Sequence, residues 1–380
     1  MLRIVADDAI PFLRGVLEDY AQVSYLPWEE ISAGTVKDAH ALIIRTRTLC
    51  NSDLLEGSAV RCIASATIGF DHIDTAYCEG AGIRWSNAPG CNAGSVMQYI
   101  ASALTALCRY TGRLPRDLVL GIVGVGHVGS RVEKLAATLG MTVLKCDPPR
   151  ARREGAACYL SLDDLLQQSD IVTLHVPLQS VGEDATFHLM NDVTLKLMKP
   201  GAWFINTSRG GVADTCALKK ALQQKHLSGA ILDVWENEPL IDRALLSLTF
   251  IGTPHIAGYS LDGKVNGTAM AVKSVAICFD LPLVYREPAN LPVLLPEIKL
   301  SLAGSDWFSI IRDAIFQTYD IFRDDERLKS DPDSFELQRR QYPVRREFQA
   351  YRIRPADGDH AIFTPLQELG FQILAERTVH

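Results

Sequence analysis

Short apolar runs separated by amphipathic stretches set the rhythm of this chain. Ala41-Leu42-Ile43-Ile44, Val119-Leu120-Gly121-Ile122-Val123, Ile171-Val172-Thr173-Leu174 and Trp203-Phe204-Ile205 each read as a buried strand. The helical stretches between them predict parallel sheets joined by crossover helices. The opening Leu2-Arg3-Ile4-Val5-Ala6-Asp7 reads as a first strand that ends in a carboxylate turn. A long apolar helix is predicted over Val96 to Tyr110, after the turn-rich Asn87–Asn92, and such a helix can link two domains. Four prolines between Leu281 and Pro296 mark a second boundary. Beyond it the chain is richer in charge, with Arg339, Arg340, Arg345 and Arg346 clustered, and this region reads as a separate module.

Composition narrows the class. The 380 residues are 47% hydrophobic and 22% charged, ordinary for a globular chain of two or three domains. A net charge of −7 leaves no overall positive field for nucleic acid or an anionic membrane. No apolar run approaches the roughly 18–20 residues of a membrane span, and acidic residues stand near the start where a signal peptide needs an apolar core. The nine cysteines are odd in number and form no Cys-x-x-Cys pair. Neither a disulfide framework nor a metal site is expected, and a reducing cytoplasm is the simplest home.

One glycine motif carries chemistry. Val119–Val123 runs into Gly124-Val125-Gly126-His127-Val128-Gly129, and Val128, Val132, Leu135, Ala136 and Leu139 then fall on one helical face that ends at Gly140. A Gly-x-Gly-x-x-Gly between strand and helix is the context of a dinucleotide site. Gly124 permits the tight turn, Gly126 lets the backbone approach a pyrophosphate, and Gly129 lets helix pack on strand. The N–H groups at the helix start, at His127 and Val128, favour the phosphate charge. Thr142–Cys146 reads as the next strand, with Asp147 at its tip able to accept from a ribose diol, which favours NAD over NADP. Arg150, Arg152 and Arg153 leave the other choice open, since arginines beyond that strand can bind a 2′-phosphate.

Three polar signatures follow apolar runs where further strands of this sheet should end: Asn206–Gly211, Asp233–Pro239 and Thr253–Gly258. Carboxyl ends of strands are where open α/β sheets bind ligands. They supply Arg209, Glu238 and His255. A histidine can take a hydroxyl proton near neutral pH. A carboxylate on its other ring nitrogen fixes the tautomer, and an arginine can clamp a substrate carboxylate. At the end of the strand Ala41–Ile44, Arg45, Thr46 and Arg47 stand where a phosphate or carboxylate could be held, or are simply solvated charges.

On these residues the chain resembles the D-isomer-specific 2-hydroxyacid dehydrogenase family over about residues 40–270, including Asn87–Ala93 and His175-Val176-Pro177-Leu178. A narrower resemblance, to a branch that acts on a small phosphorylated 2-hydroxy acid, rests on Thr253–Lys264 and on Tyr342–Phe348 in the extra C-terminal module. The resemblance implies two doubly wound, Rossmann-like α/β domains with parallel sheets and a C-terminal α+β dimerisation module. It implies a substrate domain of residues 1–95 and 271–288, with a returning helix near 271–286. An NAD-binding domain would span 96–270, and a module giving a homodimer would span 289–380. It assigns Arg209, Glu238 and His255 to catalysis. Asp147, Val176, Thr207, Asp233 and Gly258 would surround NAD, and Thr46, Thr67 and Tyr259 the substrate. Gln98 departs from the glutamate common at its position. Two alternatives stay open at this level: another D-2-hydroxyacid or phosphoglycerate dehydrogenase, and an NAD(H)-sensing co-repressor-like binding protein.

Overall fold

A computed structural model describes residues 1–286, 288–289, 291–293, 297–300, 306–354 and 363–374. Part of the proline-rich boundary, at 287, 290 and 294–296, lies outside the described residues. The chain divides into two compact units, Met1–Asn92 with Ser260–Pro292, and Ala93–Tyr259 with Val293–His380.

The first unit is built on five parallel strands: β1 (Leu2–Asp7), β2 (Ala21–Leu26), β3 (Ala41–Ile44), β4 (Cys62–Ser65) and β5 (Arg84–Ser86), in the order β2-β1-β3-β4-β5. β3 and β4 are buried at every position, as continuous apolar runs require when both faces are covered. The returning helix is Leu261–Cys278, earlier than the 271–286 expected from resemblance. Ser260 caps its start by accepting from the Gly263 N–H (2.8 Å). Its end is set by Asp280 at φ 51° and by the Leu281 N–H reaching back to the Ala276 carbonyl (2.9 Å). Pro282 comes directly after and disfavours helical backbone at Leu281.

The second unit carries six parallel strands: β6 (Val119–Val123), β7 (Thr142–Cys146), β8 (Ile171–Leu174), β9 (Ala202–Asn206), β10 (Leu227–Leu232) and β11 (Ile251–Gly252). Their order, β11-β10-β9-β8-β6-β7, reverses direction of growth next to β6, the strand that feeds the glycine turn. The long helix Ala93–Thr111 is buried around nearly its whole circumference. Its residues Ile100, Leu104 and Leu107 share one core with Phe308, Ile311 and Ile315 of the C-terminal helix Trp307–Thr318. The C-terminal residues also form helices Ile321–Ser330, Phe335–Arg340 and Phe363–Leu369 and a short parallel pair, β12 (Arg352–Ile353) with β13 (Gln372–Ile373). This is the α+β composition the sequence suggests, packed on the same side of the division as the six-stranded sheet.

Between those elements, Arg345, Arg346, Glu347 and Phe348 are all buried. Gln98 donates to the Arg346 carbonyl (2.9 Å) and to Thr318 Oγ1 (3.2 Å), while the Ser95 hydroxyl donates to Glu347 Oε1 (2.9 Å). Gln98 thus serves as an amide anchor for the C-terminal chain.

Candidate active site

The glycine turn has the shape a dinucleotide needs. Gly124 sits at φ +87°, and a Cβ there would meet the His175 carbonyl oxygen at 2.7 Å. A Cβ on Gly129 would run into the Gly124 carbonyl oxygen, whereas Gly126 faces open space. The helix His127–Thr138 starts at this turn, so the first N–H groups at His127 and Val128 lack intrahelical acceptors. Asp147, at the end of β7, accepts from the Val125 N–H (2.8 Å) and from the Arg150 N–H (2.9 Å), which fixes its carboxylate against the turn. Arg150 is bound to Glu154 through two nitrogens at 2.8 Å, and Arg152 to Glu183 (3.3 Å) and Asp184. Two of the three arginines that kept a 2′-phosphate open are therefore engaged by carboxylates. The residues fit NAD on this geometry.

Val176 lies against Gly124, and Thr207 Oγ1 lies 3.4 Å from His175 Nδ1. Enclosure pushes the His175 imidazole down to about 3, so that ring is neutral at physiological pH.

The loops after β9, β10 and β11 are tied to one another. Asn206 ends β9, accepts from the Ser208 N–H (3.0 Å) and hydroxyl (2.7 Å) and donates to the Arg209 carbonyl (3.0 Å). Arg209 Nη1 donates to the Ser208 carbonyl (2.8 Å). After β10, the Trp235 N–H donates to Glu238 Oε1 (2.9 Å), and the indole N–H donates to the Thr253 carbonyl (2.9 Å) beyond β11. Glu238 Oε2 faces His255 Nδ1 at 2.6 Å. Burial alone would raise the Glu238 carboxyl, but the His255 ring and the Trp235 N–H hold it below the usual carboxylate range.

Behind the histidine lies Asp233, fully buried at the end of β10. Its Oδ1 accepts from the Thr253 hydroxyl (2.6 Å) and the Ile256 N–H (2.8 Å), and its Oδ2 from the Ala257 N–H (2.8 Å). Burial lifts its carboxyl above the ordinary value, against the pull of His255 and those donors. The Asp233 carbonyl accepts from the His255 N–H (2.7 Å), and His255 itself sits at φ 56°, a left-handed conformation that is costly for a histidine.

Arg209, Glu238 and His255 line one pocket of about 330 Å³, together with Leu178, Phe187 and Trp235. Gly258 and Tyr259 come next on the same loop, and the Tyr259 ring meets Tyr342 edge-on at 5.9 Å. The remaining expected substrate residues belong to the first unit. Arg45 makes a two-point contact with the buried Asp7 (2.9 and 3.0 Å). Thr46 and Arg47 are exposed beside it, and Arg47 lies over the Trp28 ring. Thr67 Oγ1 is 2.8 Å from Ser65 Oγ and donates to the Gly69 carbonyl (3.3 Å). Trp235 and Thr253, which tie the Glu238 and His255 loops together, were not singled out from sequence. Their positions inside the signatures were visible, but their backbone partners were not.

A six-stranded parallel sheet, a glycine turn at its strand-order reversal and a His–carboxylate pair beside an arginine are the arrangement that a dinucleotide-dependent dehydrogenase needs. Residues 99–257 match the family model described as D-isomer specific 2-hydroxyacid dehydrogenase, NAD binding domain, and residues 293–370 match one described as a domain of unknown function (DUF3410). The chain belongs to the D-isomer specific 2-hydroxyacid dehydrogenase family. It is 46% identical over 353 residues to an erythronate-4-phosphate dehydrogenase of Bacteroides fragilis, covering 93% of this chain and 99% of that one. An erythronate-4-phosphate dehydrogenase of Pseudomonas putida is 41% identical over 363 residues, covering 92% and 94%. Among solved structures, a D-lactate dehydrogenase from Aquifex aeolicus complexed with NAD and lactic acid matches with a TM-score of 0.62 and 30% identity, over 73% of this chain and 96% of that one.

Proposed function

We infer that this chain is an NAD-dependent dehydrogenase that oxidises 4-phospho-D-erythronate at C2 to 2-oxo-3-hydroxy-4-phosphobutanoate, a step of pyridoxal 5′-phosphate formation. The full-length similarity to erythronate-4-phosphate dehydrogenases supports the substrate. The chemistry rests on the 2.6 Å contact between His255 and Glu238 in a pocket shared with Arg209. Bound NAD supplies the acceptor for the hydride that leaves C2. Gly124, Gly126, Gly129, His127, Val128 and Asp147 would hold it, with Val176, Thr207, Asp233 and Gly258 beside it.

The residues do the rest. A carboxylate at Glu238 can only accept, so it takes the Nδ1–H of His255 and leaves Nε2 with a lone pair for the C2 hydroxyl proton. The imidazolium that forms is stabilised by the carboxylate already in contact with it. The planar fork of Arg209 suits a substrate carboxylate and the adjacent C2 oxygen. Thr46, Thr67, Arg47 and Tyr259 are assigned to the substrate, while Arg45, already paired with Asp7, is assigned to holding the end of β3.

The same reading includes a homodimer through residues 289–380 and a cytoplasmic location. Light scattering should give a mass about twice the 41.8 kDa of the chain. No helix among the described residues is long and apolar enough to cross a membrane. The direct test is the absorbance of reduced nicotinamide on mixing enzyme, NAD and 4-phospho-D-erythronate. Turnover should exceed that on 3-phospho-D-glycerate and D-lactate; a preference for either of those overturns the substrate.

A further inference from the structure

We propose that Arg345, far from the site in sequence, is a positioning residue for His255: its guanidinium grips the two peptide carbonyls just beyond the histidine and fixes that loop from behind. The inference rests on the reading of His255 as the base.

Arg345 is 5% exposed. Its Nη2 donates to the Ala257 carbonyl (2.5 Å) and the Ile256 carbonyl (3.2 Å), and its plane lies 4.5 Å from the Tyr319 ring centre. Among the described residues, Nε and Nη1 find no hydrogen-bond partner, and none of its nitrogens bonds a carboxylate. A buried guanidinium is costly unless paired, so an arginine placed here for stability alone is a poor choice. Its position has a different logic. The N–H groups of Ile256 and Ala257 point to the Asp233 carboxylate, and their carbonyls point to Arg345. An anion and a cation therefore hold the Ile256–Ala257 peptide from opposite ends, its N–H on Asp233 and its C=O on Arg345, each aligned with the peptide dipole.

That peptide lies one residue beyond His255, whose φ of 56° is a strained backbone state. Such a state persists only where its surroundings over-determine it. The Asp233 carbonyl fixes the His255 N–H on one side, and Arg345 fixes the Ile256 and Ala257 carbonyls on the other. Glu238, Asp233, Arg209 and Arg339 stand around the loop, Asp324 is a further charge near Arg345 that accepts from the Tyr319 and Tyr342 hydroxyls, and Glu238 bonds the ring itself. Without Arg345 the loop relaxes and the imidazole leaves its 2.6 Å register with Glu238.

The test compares full-length wild type, Arg345→Met and Arg345→Lys. It measures kcat and KM on 4-phospho-D-erythronate, NADH binding by fluorescence, and the downfield NMR proton of the His255–Glu238 hydrogen bond, assigned with His255→Asn. Arg345→Met should lower kcat about 10- to 100-fold, the scale of an ångström-sized misplacement of a catalytic group. It should leave NADH affinity within about threefold and abolish the downfield resonance. Arg345→Lys keeps the charge but not the fork, and should retain a shifted resonance with kcat down about tenfold. An unchanged resonance in Arg345→Met, or loss of NADH binding together with it, overturns the proposal. Should Met prevent folding, wild-type kcat and an unshifted resonance in Arg345→Lys overturn it. Should the wild type fail to turn over 4-phospho-D-erythronate, the substrate reading falls while the resonance still decides the role of Arg345.

Discussion

At the scale of single residues, the proposed chemistry divides labour around one imidazole. His255 is bonded by Glu238 at Nδ1, and that carboxylate is kept charged well into the acid range by the ring and by the Trp235 N–H. His255→Ala should therefore lower kcat by about 100-fold or more, the usual range for losing a general base. Glu238→Gln keeps the shape but offers an amide where the ring needs an anion. Its kcat should fall while NADH affinity, measured by fluorescence, stays near wild type. Arg209→Lys should raise KM for the acid and lower kcat together, because an ammonium cannot match a carboxylate at two points. A mild effect at Arg209 would mark it as a structural arginine bound to its own loop.

Elements place these residues, and the glycine turn is the sharpest case. With the Gly124 carbonyl where a Gly129 Cβ would stand, Gly129→Ala must push the helix His127–Thr138 away from β6. NADH affinity should drop about tenfold or more, since a helix start displaced from the phosphates loses its aligned N–H groups. Asp147→Ala should weaken NAD and narrow its margin over NADP, read from the ratio of kcat/KM values. Much of this was legible in the sequence because strands buried on both faces are written as unbroken apolar runs, and the functional loops sit at their ends. Other features were not. The helix Leu261–Cys278 begins at a serine cap and stops before Pro282, both local signals that an expectation taken from resemblance passed over. The run Arg345-Arg346-Glu347 reads from sequence as salt bridges of the fold or of a dimer, and nothing local says it is buried. The acceptors of Arg345 are backbone carbonyls far away in the chain, and carbonyls carry no residue-specific signal. For the same reason Trp235 and Thr253 were recognisable only as neighbours of Glu238 and His255.

On the scale of the whole molecule, acid should destabilise the fold through a buried histidine of the first unit. His72 is buried in the first unit, and burial, against the opposing pull of Asp71, holds its imidazole down to about 4. The unfolded chain binds this proton below about 6.5, whereas the folded chain does not until about 4. The stability is thus full above the unfolded value and is lost as pH falls through that window, by about 3 kcal/mol in all. Denaturant unfolding at pH 7.5 and pH 5 should show the loss, and His72→Gln should flatten it. The C-terminal residues act over a longer reach. Arg345 is translated ninety positions after His255. At ribosomal speeds of about 5–20 residues per second the nascent chain passes several seconds with its dinucleotide cradle complete and its histidine loop unbraced. Competence for catalysis then arrives late in synthesis, and a chain cut short before Arg345 would carry its histidine without its brace.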